Sequence, residues 1–505
     1  MEGWSSLCFI ALSTLLALWF RKSKSKKHLP PGPWCLPIIG SLHHLVSALP
    51  HRKILELSRR HGPLMLLRLG EVPTVVVSTA EAAELVMKTN DLMFATRPRS
   101  PMQEIFGCGG KSMLFAPYGA YWRQMRKVCT MELLSSQQVK RMEGARAEEV
   151  GKLVRFINDA ASTGTTVNVS EKVRALTNNV VSRAVFRGKF ARQDEYLREM
   201  EEAFALLGGP CLADLFPSSR LVRWLSNGER QMRRCCDRMN SIIDEIIQER
   251  EEARAAGVGV SSTDHEDLLD VLLRLQQEDS SEFPLTTEVI RAILFDMFGG
   301  GTETSGTALE WAMSEFIHNP EAMAKVQQEI RDVLGPDRTV ITNSDLAELQ
   351  YMRIFLKEVL RLHPPAPFIV RTTREDCKIM GYDMLQGTNV LVDNFAISTD
   401  PKYWENPEVF KPERFVNNKT DYNGTCFEYT PFGAGRRQCP GILFATSTLE
   451  IAFANLVYHF NWVVPDRKSP QSLDMSKQPG ITVGGRRCDL QLRAIPHICS
   501  KATEI

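Results

Sequence analysis

The sequence predicts a mainly α-helical protein with a small β-sheet region packed to one side. Amphipathic patterns with helical spacing are the longest regular features of the chain, and they cover residues 143–158, 228–255, 284–318 and 320–334. Runs typical of strands are short and few, and they cover residues 64–69, 74–78, 388–392 and 490–495. Helix therefore outweighs strand, and the length of the chain leaves ample material for a core.

The chain begins with an almost uncharged apolar run from Trp4 to Phe20, which as a helix is roughly 25 Å long. Glu2 is the only charge before this run, whereas five cations follow it: Arg21, Lys22, Lys24, Lys26 and Lys27. The positive-inside rule then leaves the rest of the chain in the cytosol. A cleaved signal peptide would show charges before the run and a small-residue cleavage site after it, and neither is present. We expect a retained transmembrane helix, with residues 1–20 as the membrane anchor.

The segment Pro30-Pro31-Gly32-Pro33 is stiff and extended and cannot continue a helix. With the preceding cations it predicts a basic and Pro-rich hinge over residues 21–33, followed by one main domain over 34–505. In that domain the first two strands are separated by Gly70-Glu-Val-Pro73, which predicts a hairpin, and Ser78-Thr-Ala-Glu81 then begins a capped helix.

Charge and cysteine content exclude several classes of function. The formal net charge is only +1, and no sustained basic block follows the N-terminus, so nucleic-acid binding is not expected. The 12 cysteines are scattered without a Cys-x-x-Cys pair, which speaks against zinc, c-type haem and thioredoxin chemistry. A reducing compartment fits this pattern.

The amphipathic pattern over 284–318 contains three consecutive glycines, Gly299 to Gly301. Each glycine inside a helix costs about 1 kcal/mol relative to alanine, so we expect a compensating gain of space at this point. A helix weakened there could kink and admit a small ligand. Thr304 would then turn its hydroxyl toward the opening, and Glu303 would link the opening to solvent.

The most informative stretch is Phe432-Gly-Ala-Gly-Arg-Arg-Gln-Cys439-Pro-Gly441. An apolar helical pattern over 442–460 follows, so Cys439 lies where a helix begins and where free N–H groups favour a thiolate. Glycines at 433, 435 and 441 leave backbone room for a flat group near the sulfur, and Arg436 and Arg437 offer cations for carboxylates. Haem is flat and carries carboxylates, so it has both properties. The alternative is an inert buried thiol beside a surface loop.

With these residues at these spacings the chain resembles the cytochrome P450 family, whose haem-binding loop carries the cysteine that ligates iron. The resemblance runs from Pro30 to about Arg493 and implies the P450 fold, with heme b (iron protoporphyrin IX) held by the Cys439 thiolate. It also implies haem or propionate contacts for Trp122, Arg126, Arg371, Phe432, Gly435, Arg437 and Gly441. Residues 300–305 are similar to the family's oxygen-binding groove, which makes Thr304 and Glu303 the expected catalytic pair.

A Glu-x-x-Arg pair at Glu358 and Arg361 is not informative alone, because the same spacing occurs at Glu143, Glu195, Glu251 and Glu288. Its setting distinguishes it, since Pro364 and Pro365 end the helix and Pro412-Glu-Arg414-Phe415 follows later. The resemblance implies a buried structural network of Glu358, Arg361 and Arg414 behind the haem.

The resemblance further implies a membrane-bound haem-thiolate monooxygenase that takes electrons from NADPH through a flavoprotein reductase and inserts one atom of O₂ into an apolar small molecule. The residue sequences of its motifs are similar to those of plant microsomal members of specialised metabolism. This resemblance implies a location in the endoplasmic reticulum membrane, with the catalytic domain facing the cytosol. We favour a terpenoid substrate, although a phenolic, an oxime or a fatty acyl chain would also suit apolar walls. The expected substrate-lining positions are Met297, Phe298, Gly300, Phe368 and Ile481.

Exposed cations at Arg123, Lys127 and Arg436 fit either reductase docking or an ordinary solvated face. Two other functions stay open from sequence: a haem-thiolate isomerase or dehydratase that acts on a peroxide without a reductase, and a haem sensor without turnover. Thr304 and the intact cysteine loop speak against the first. The sensor would need neither the groove nor a reductase surface.

Overall fold

The computed structural model describes residues 27–46, 50–209, 211–256, 266–278, 282–336, 338–467, 469–478 and 484–497. The α-helices of these residues are α1 Pro50–His61, α2 Ala80–Glu84, α3 Pro101–Phe106, α4 Ala120–Cys129, α5 Ser136–Arg141, α6 Glu143–Ser162, α7 Val169–Phe186, α8 Gln193–Gly208, α9 Leu212–Leu215, α10 Arg220–Leu225, α11 Gly228–Ala255, α12 Leu268–Glu278, α13 Thr287–His318, α14 Pro320–Leu334, α15 Gln350–Leu362, α16 Asn394–Ser398 and α17 Ile442–His459. The strands are β1 Leu64–Leu69, β2 Val72–Val77, β3 Val167–Asn168, β4 Phe368–Thr372, β5 Cys377–Ile379, β6 Tyr382–Met384, β7 Asn389–Asp393, β8 Phe460–Val463 and β9 Gln491–Pro496.

The strands form three small sheets. The largest has the order β1-β2-β7-β4, in which β2 and β7 run parallel and the other neighbours antiparallel. The others have the orders β3-β9-β8 and β5-β6. The predicted hairpin is confirmed, because Leu64 pairs with Val77 across a turn in which Gly70 adopts a positive φ of 63°. The mainly helical class with small sheets is thus confirmed.

Helix α13 is the centre of the core. It runs without interruption for 32 residues, and its side chains from Val289 to Gly299 and again from Ser305 to Ile317 are almost all buried. Helices α7, α15 and α17 pack around it, which explains why these segments are apolar on more than one face. The helix therefore fixes the relative positions of the elements that carry the candidate site.

Among the described residues, α17 alone is long and apolar enough to cross a membrane by length and composition. Two-thirds of it is buried (67%), as befits a core helix. The predicted anchor over residues 1–20 lies outside the described residues, as does the predicted hinge up to residue 26.

The last part of the predicted hinge, residues 30–33, is fixed to the main domain. The Leu66 N–H donates a hydrogen bond to the Pro31 carbonyl oxygen at 2.8 Å. A Cβ on Gly32 would lie 2.0 Å from the Leu66 carbonyl oxygen, so only glycine fits this close approach. We call residues 30–33 the N-terminal strap, because they lie along strand β1.

Candidate active site

Cys439 lies in a tight loop three residues before α17. Its N–H donates to the Phe432 carbonyl oxygen at 3.0 Å, which closes the loop, and a 3₁₀ turn covers Gly435–Arg437. Gly433 and Gly435 have φ values of 70° and 69°, a region that favours glycine. The glycines of the motif therefore shape the loop itself.

The expected space beside the sulfur is present at Gly441, where an added Cβ would lie 3.9 Å from Cys439 Sγ. Gly435 serves a different purpose. A Cβ there would lie 2.1 Å from the Met87 carbonyl oxygen and 2.9 Å from the Asp91 carboxyl carbon, so its lack of a side chain lets the loop pack on residues 87–91.

The protonation of the sulfur depends on whether a metal ion is bound. Burial raises the pKa of the Cys439 thiol above its ordinary value and outweighs the opposing effects of the Gly441 backbone hydrogen bond and the Arg126 charge. The free side chain is therefore a neutral thiol at neutral pH, and the expected thiolate requires a bound metal ion, which deprotonates a coordinating thiol.

Four arginines lie around this loop, Arg97, Arg126, Arg371 and Arg437, and the charges of the others lower the pKa of Arg371 and Arg437. The Arg437 guanidinium donates to the carbonyl oxygens of Ala95 at 2.7 Å and Met113 at 3.2 Å, and Arg126 donates to Gln438 at 2.7 Å. Burial, Arg97 and Arg126 lower the pKa of Arg437 to about 8. The cluster thus carries excess positive charge.

Arg371 shows most clearly what this cluster lacks. It is fully buried, and among the described residues only its Nη2 has a partner, the Ala434 carbonyl oxygen at 3.2 Å, while Nε and Nη1 have none. Burial first, then Arg97 and Arg437, hold its pKa well below the usual range. Asp91, the carboxylate that opposes this, pairs with Arg436 at 3.0 Å. Unpaired buried guanidinium nitrogens call for an anion. Haem fits, because its propionates would supply that charge and Cys439 a ligand for its iron.

Arg97 is a member of the cluster that sequence reasoning missed. Thr372 donates its N–H to the Thr96 carbonyl oxygen at 3.0 Å, and this bridge places Arg97 beside Arg371. Burial lowers the pKa of Arg97 to about 10. The two arginines are far apart in sequence, and Arg97-Pro-Arg99 has no periodicity, so the sequence contains no signal for the contact.

Trp122 and Phe432 both have contacts with neighbouring residues of the protein at this site. The Trp122 indole N–H donates to the Met113 carbonyl oxygen at 2.9 Å, so the protein itself uses this donor. The indole ring instead faces the guanidinium of Arg437, 4.4 Å from the ring centroid, and that of Arg126 at 5.4 Å. Phe432 packs edge-on against Tyr422, with ring centroids 5.5 Å apart.

The glycine-rich part of α13 lies within one continuous helix, Thr287–His318. Added Cβ atoms would lie 3.2 Å from the Phe204 ring at Gly299 and 2.9 Å from Val181 Cγ2 at Gly301. These glycines therefore let neighbouring helices approach. Gly300 is different, because nothing lies within 4 Å of an added Cβ there. The expected space is thus confined to Gly300.

Thr304 lies one turn after Gly300 and donates its hydroxyl to the Gly300 carbonyl oxygen at 2.6 Å. This bond leaves the lone pairs of the hydroxyl oxygen available to accept a proton donor from the open side. Burial raises the pKa of Glu303, and Arg174 on α7 opposes the shift. Glu303 is therefore poised to hold or release a proton at a pH above the ordinary range of glutamate.

The structure brings Glu358, Arg361 and Arg414 together. The Arg361 guanidinium forms two hydrogen bonds with the Glu358 carboxylate, at 2.7 and 2.8 Å, and Arg414 Nε donates to the same carboxylate at 3.0 Å. Neither Glu358 nor Arg361 is exposed (0%). Arg361 also donates to the carbonyl oxygens of Ser398 and Pro407, so the network ties α15 to the segment that precedes the cysteine loop.

The expected substrate-lining positions are only partly brought together. Met297 lies one turn before Gly300 and is buried. Phe298 is fully buried among other aromatic rings, and its ring centroid lies 5.2 Å from that of Tyr196. Its predicted place at the site is wrong, because its side chain lies about 100° around the helix from that of Met297. Phe368 packs against α1 and the sheet, because alternation along β4 turns Arg371 but not Phe368 toward the cysteine loop. Ile481 lies outside the described residues.

The three cations considered for reductase docking differ in their exposure and in the partners they already have within the protein. Arg123 and Lys127 are exposed on α4. Arg436 is half-exposed, but it pairs with Asp91 and also donates to the Tyr118 hydroxyl at 3.2 Å. Arg123 and Lys127 are therefore the better candidates for a contact with an acidic partner.

Comparison with known proteins agrees with this geometry. A family model described as Cytochrome P450 matches residues 30–489. The chain is 43% identical to ent-cassadiene hydroxylase of Oryza sativa subsp. japonica, over 99% of this chain and 97% of the relative. It is 40% identical to premnaspirodiene oxygenase of Hyoscyamus muticus, over 98% of both chains. It is also 42% identical to desmethyl-deoxy-podophyllotoxin synthase of Sinopodophyllum hexandrum, over 99% of this chain and 98% of the relative.

Proposed function

Because the chain belongs to the cytochrome P450 family and is a haem monooxygenase, we propose that it hydroxylates an apolar small molecule of specialised metabolism, most simply a terpenoid, with electrons that a flavoprotein reductase draws from NADPH. The observation that carries the proposal is the group of four arginines around the Cys439 loop, with two buried nitrogens of Arg371 unpaired among the described residues. A doubly carboxylated ligand would satisfy them.

Haem bound here would supply a thiolate-ligated iron that activates O₂ for insertion of one oxygen atom into a C–H bond. The residues of the chain would orient the haem, leave space for the ligand and hold the proton donor. Arg371, Arg437 and Arg126 would orient the ring through its carboxylates, and Gly300 leaves the open space that a small ligand needs on α13. Thr304 would hold a proton donor at its hydroxyl oxygen, which its own donation to Gly300 fixes in place.

Two observations support the terpenoid class. The names of similar relatives include ent-cassadiene hydroxylase and premnaspirodiene oxygenase. Met297, one turn before Gly300 on α13, is also apolar and buried. Apolar walls give shape selection for a hydrocarbon skeleton but few hydrogen bonds.

We also propose the endoplasmic reticulum membrane as the location, with one N-terminal span and the catalytic domain in the cytosol. An exposed apolar patch supports this: Ile38 is 80% exposed, Trp34 64% and Trp224 70%. The two segments of the patch meet at one turn, since Gly70 donates to Ile39 and Glu71 to Leu215. The measurement is carbonate-resistant membrane association of a full-length fluorescent fusion. Loss of association on deleting residues 1–28 is expected, and its persistence would contradict the proposed anchor.

The central experiment is co-expression of the full chain with a plant NADPH-dependent reductase, followed by the carbon-monoxide difference spectrum of the reduced protein. We expect the spectrum of thiolate-ligated haem for the unchanged chain and its loss in Cys439→Ser. Cys129→Ser is the matched control, because Cys129 is fully buried in α4 and should leave the spectrum unchanged. A carbonyl spectrum of imidazole-ligated haem in the unchanged chain would refute the proposal.

Terpene scaffolds are then screened for displacement of iron-bound water and for NADPH-dependent products. Thr304→Ala should lower the yield of product per NADPH consumed, because the proton donor loses its acceptor, whereas Thr304→Ser keeps the hydroxyl and should retain most of the yield. Turnover of a peroxide with no reductase would favour the isomerase function instead.

Reductase docking is tested by charge reversal at Lys127, with Lys378→Glu on the β5-β6 hairpin as the control for a change of net charge. Lys127→Glu should slow reduction of the iron, because opposite charges speed encounter. Equal reduction rates in the two variants would remove α4 from the docking surface.

A further inference from the structure

A small cavity lies between the first turn of α1, the segment that follows α15 and the first turn of α16. It has a volume of about 10 Å³, which is enough for one water molecule or a group of similar size. Its walls carry two basic side chains, Lys477 and His51. The other residues that line it are Pro364, Pro367, Phe395, Gln478 and Gly484. None of these belongs to the Cys439 loop or to the arginine cluster, so the cavity is built from other residues than the candidate haem site.

The Lys477 amine lies against aromatic rings and has one hydrogen bond. Lys477 Nζ donates to the carbonyl oxygen of Leu362, the last residue of α15, at 2.9 Å. It lies 4.8 Å from the ring centroid of Phe395 and 5.9 Å from that of Trp311. A charged ammonium has three N–H donors, and in the described part of the chain Nζ has no second acceptor. The two rings replace only part of the hydration that the ammonium loses, so the surroundings favour the neutral amine.

The charges around the amine act in the same direction. Burial first, and then the charge of Arg52 on α1, lower the pKa of Lys477 from 10.5 to about 8. The opposing carboxylate is Glu315 on α13, and it is engaged elsewhere, since it pairs with His363 at 2.6 Å and accepts from Asn319 Nδ2 at 2.6 Å. A pKa near 8 leaves roughly a quarter of the amines neutral at about pH 7.5, whereas an ordinary lysine has about one neutral amine in a thousand. The neutral amine is the nucleophilic form, and burial or a neighbouring cation makes it available.

His51 brings a second reactive group to the cavity. Its side chain is buried, its ring packs edge-on against Phe395 with centroids 5.3 Å apart, and its Nε2 has no partner among the described residues. Burial first, then the charges of Lys477 and Arg52, lower the pKa of His51 to about 4, so the ring is neutral at neutral pH. A neutral imidazole can accept a proton at one nitrogen and donate one from the other. An imidazole with an unpartnered nitrogen in the same cavity as a partly neutral amine suits proton transfer.

We propose that Lys477 is a nucleophilic lysine that captures a one-carbon aldehyde as an imine in this cavity, with His51 as the carrier of protons. The amine nitrogen bonds to the carbonyl carbon, the C=O π bond opens, and His51 moves a proton from nitrogen to oxygen. The C–O bond then breaks and a C=N bond forms. Both N–H protons of the amine leave with the oxygen as water, so no oxidant or reductant is needed. Only a CH₂ group stays on the nitrogen, and a group of that size fits the cavity.

The test uses the full-length, haem-loaded protein in detergent and formaldehyde as the probe. Cyanoborohydride traps the imine as methyl-lysine, peptide mass spectrometry measures the label at Lys477, and Nα-acetyl-lysine in the same solution is the reference amine. The label at Lys477 relative to this reference should fall by more than about tenfold as the pH rises from about 7.5 to about 10, because the reference amine becomes neutral only at the higher pH. Relative to the same reference, trimethylacetaldehyde should label Lys477 at least about tenfold less than formaldehyde does, because it is too large for the cavity.

His51→Phe keeps a ring against Phe395 but removes the proton carrier, so it should slow the labelling of Lys477 about threefold or more at about pH 7.5. His61→Phe, on the same helix but outside the cavity, is the matched control and should leave the rate unchanged. Equal rates in the two variants would overturn the role of His51. The whole proposal is overturned if Lys477 is labelled only after unfolding in urea, if its label relative to the reference does not depend on pH, or if the two aldehydes label it equally. It does not rest on the proposed function, so these outcomes are independent of the carbonyl spectrum.

Discussion

Arg361→Ala tests whether the buried network holds the haem-side architecture together. Glu358 and Arg361 have no exposed surface, and Arg361 saturates its guanidinium with the two Glu358 oxygens and the carbonyls of Ser398, Pro407 and Val409. In the variant, Glu358 Oε1 keeps Arg414 and the Lys411 N–H, but Oε2 loses its partner.

Breaking a buried ion pair from one side costs about 3–5 kcal/mol, because an uncompensated charge is left in the core. Retained contacts to Glu358 Oε1 place the expected loss toward about 3 kcal/mol, which is still a large part of the roughly 5–15 kcal/mol that stabilises a domain. We therefore expect the Arg361→Ala protein to be isolated with little haem.

The assay is urea unfolding followed by far-ultraviolet circular dichroism, with haem content measured in parallel. Arg353→Ala is the control on the same helix, because Arg353 is 38% exposed and its carboxylate partner is 3.9 Å away, so its loss should cost less than about 1 kcal/mol. The double variant Glu358→Gln with Arg361→Met should recover part of the loss, since it leaves no unpaired charge. An Arg361→Ala protein with wild-type haem content and an unchanged unfolding midpoint would refute the reasoning.

Two further predictions concern packing and pH. Gly301→Ala should destabilise the fold by about 1–3 kcal/mol, because its Cβ would lie 2.9 Å from Val181. Gly300→Ala places its Cβ in open space and should be neutral or stabilising by up to about 1 kcal/mol. The unfolding midpoints of the two variants are compared, and equal losses of stability would contradict the packing at Gly301. Burial raises the pKa of Asp393 from 3.8 to about 7, so the folded state keeps a proton that the unfolded state has lost, and stability contributed by the neutral acid falls as pH rises from about 4 to about 7. Asp393→Asn keeps the helix cap and should flatten this fall by up to about 1.4 kcal/mol per pH unit, and an identical pH dependence in both proteins would exclude Asp393 as its source.

Sequence reasoning recovered features that depend on local pattern. The helix that follows Cys439, the hairpin at Gly70 and the long helix that contains Gly300 are all set by periodicity and by residues adjacent in the chain. The meeting of Glu358, Arg361 and Arg414 was also expected, because a resemblance to a known family supplied the distant partner.

Sequence reasoning missed the features that depend on the direction in which a side chain points from its helix or strand, and those that depend on contacts between residues distant in sequence. Phe298 and Phe368 belong to segments that do approach the site, but their side chains point to other faces, which a list of segments cannot show. Gly299 and Gly301 were read as room for a ligand, although neighbouring helices fill that room. Arg97 reaches Arg371 only because Thr96 and Thr372, which are remote in sequence, form a backbone bridge. In each case the deciding fact is tertiary packing.

The N-terminal strap bears on the membrane attachment proposed for this enzyme. Lys27 pairs with Asp376 at 3.6 Å and the His28 N–H donates to Asp383 at 2.7 Å, so the stretch between the proposed span over residues 1–20 and the first held residue covers residues 21–26. Six fully extended residues span at most about 20 Å, so a domain tied to the proposed spanning segment over 1–20 could neither move far from the lipid headgroups nor turn over freely. Apolar substrates would then enter the enzyme directly from the lipid phase. Their partitioning between membrane and water, rather than their aqueous concentration, would set the rate at which substrate reaches the enzyme.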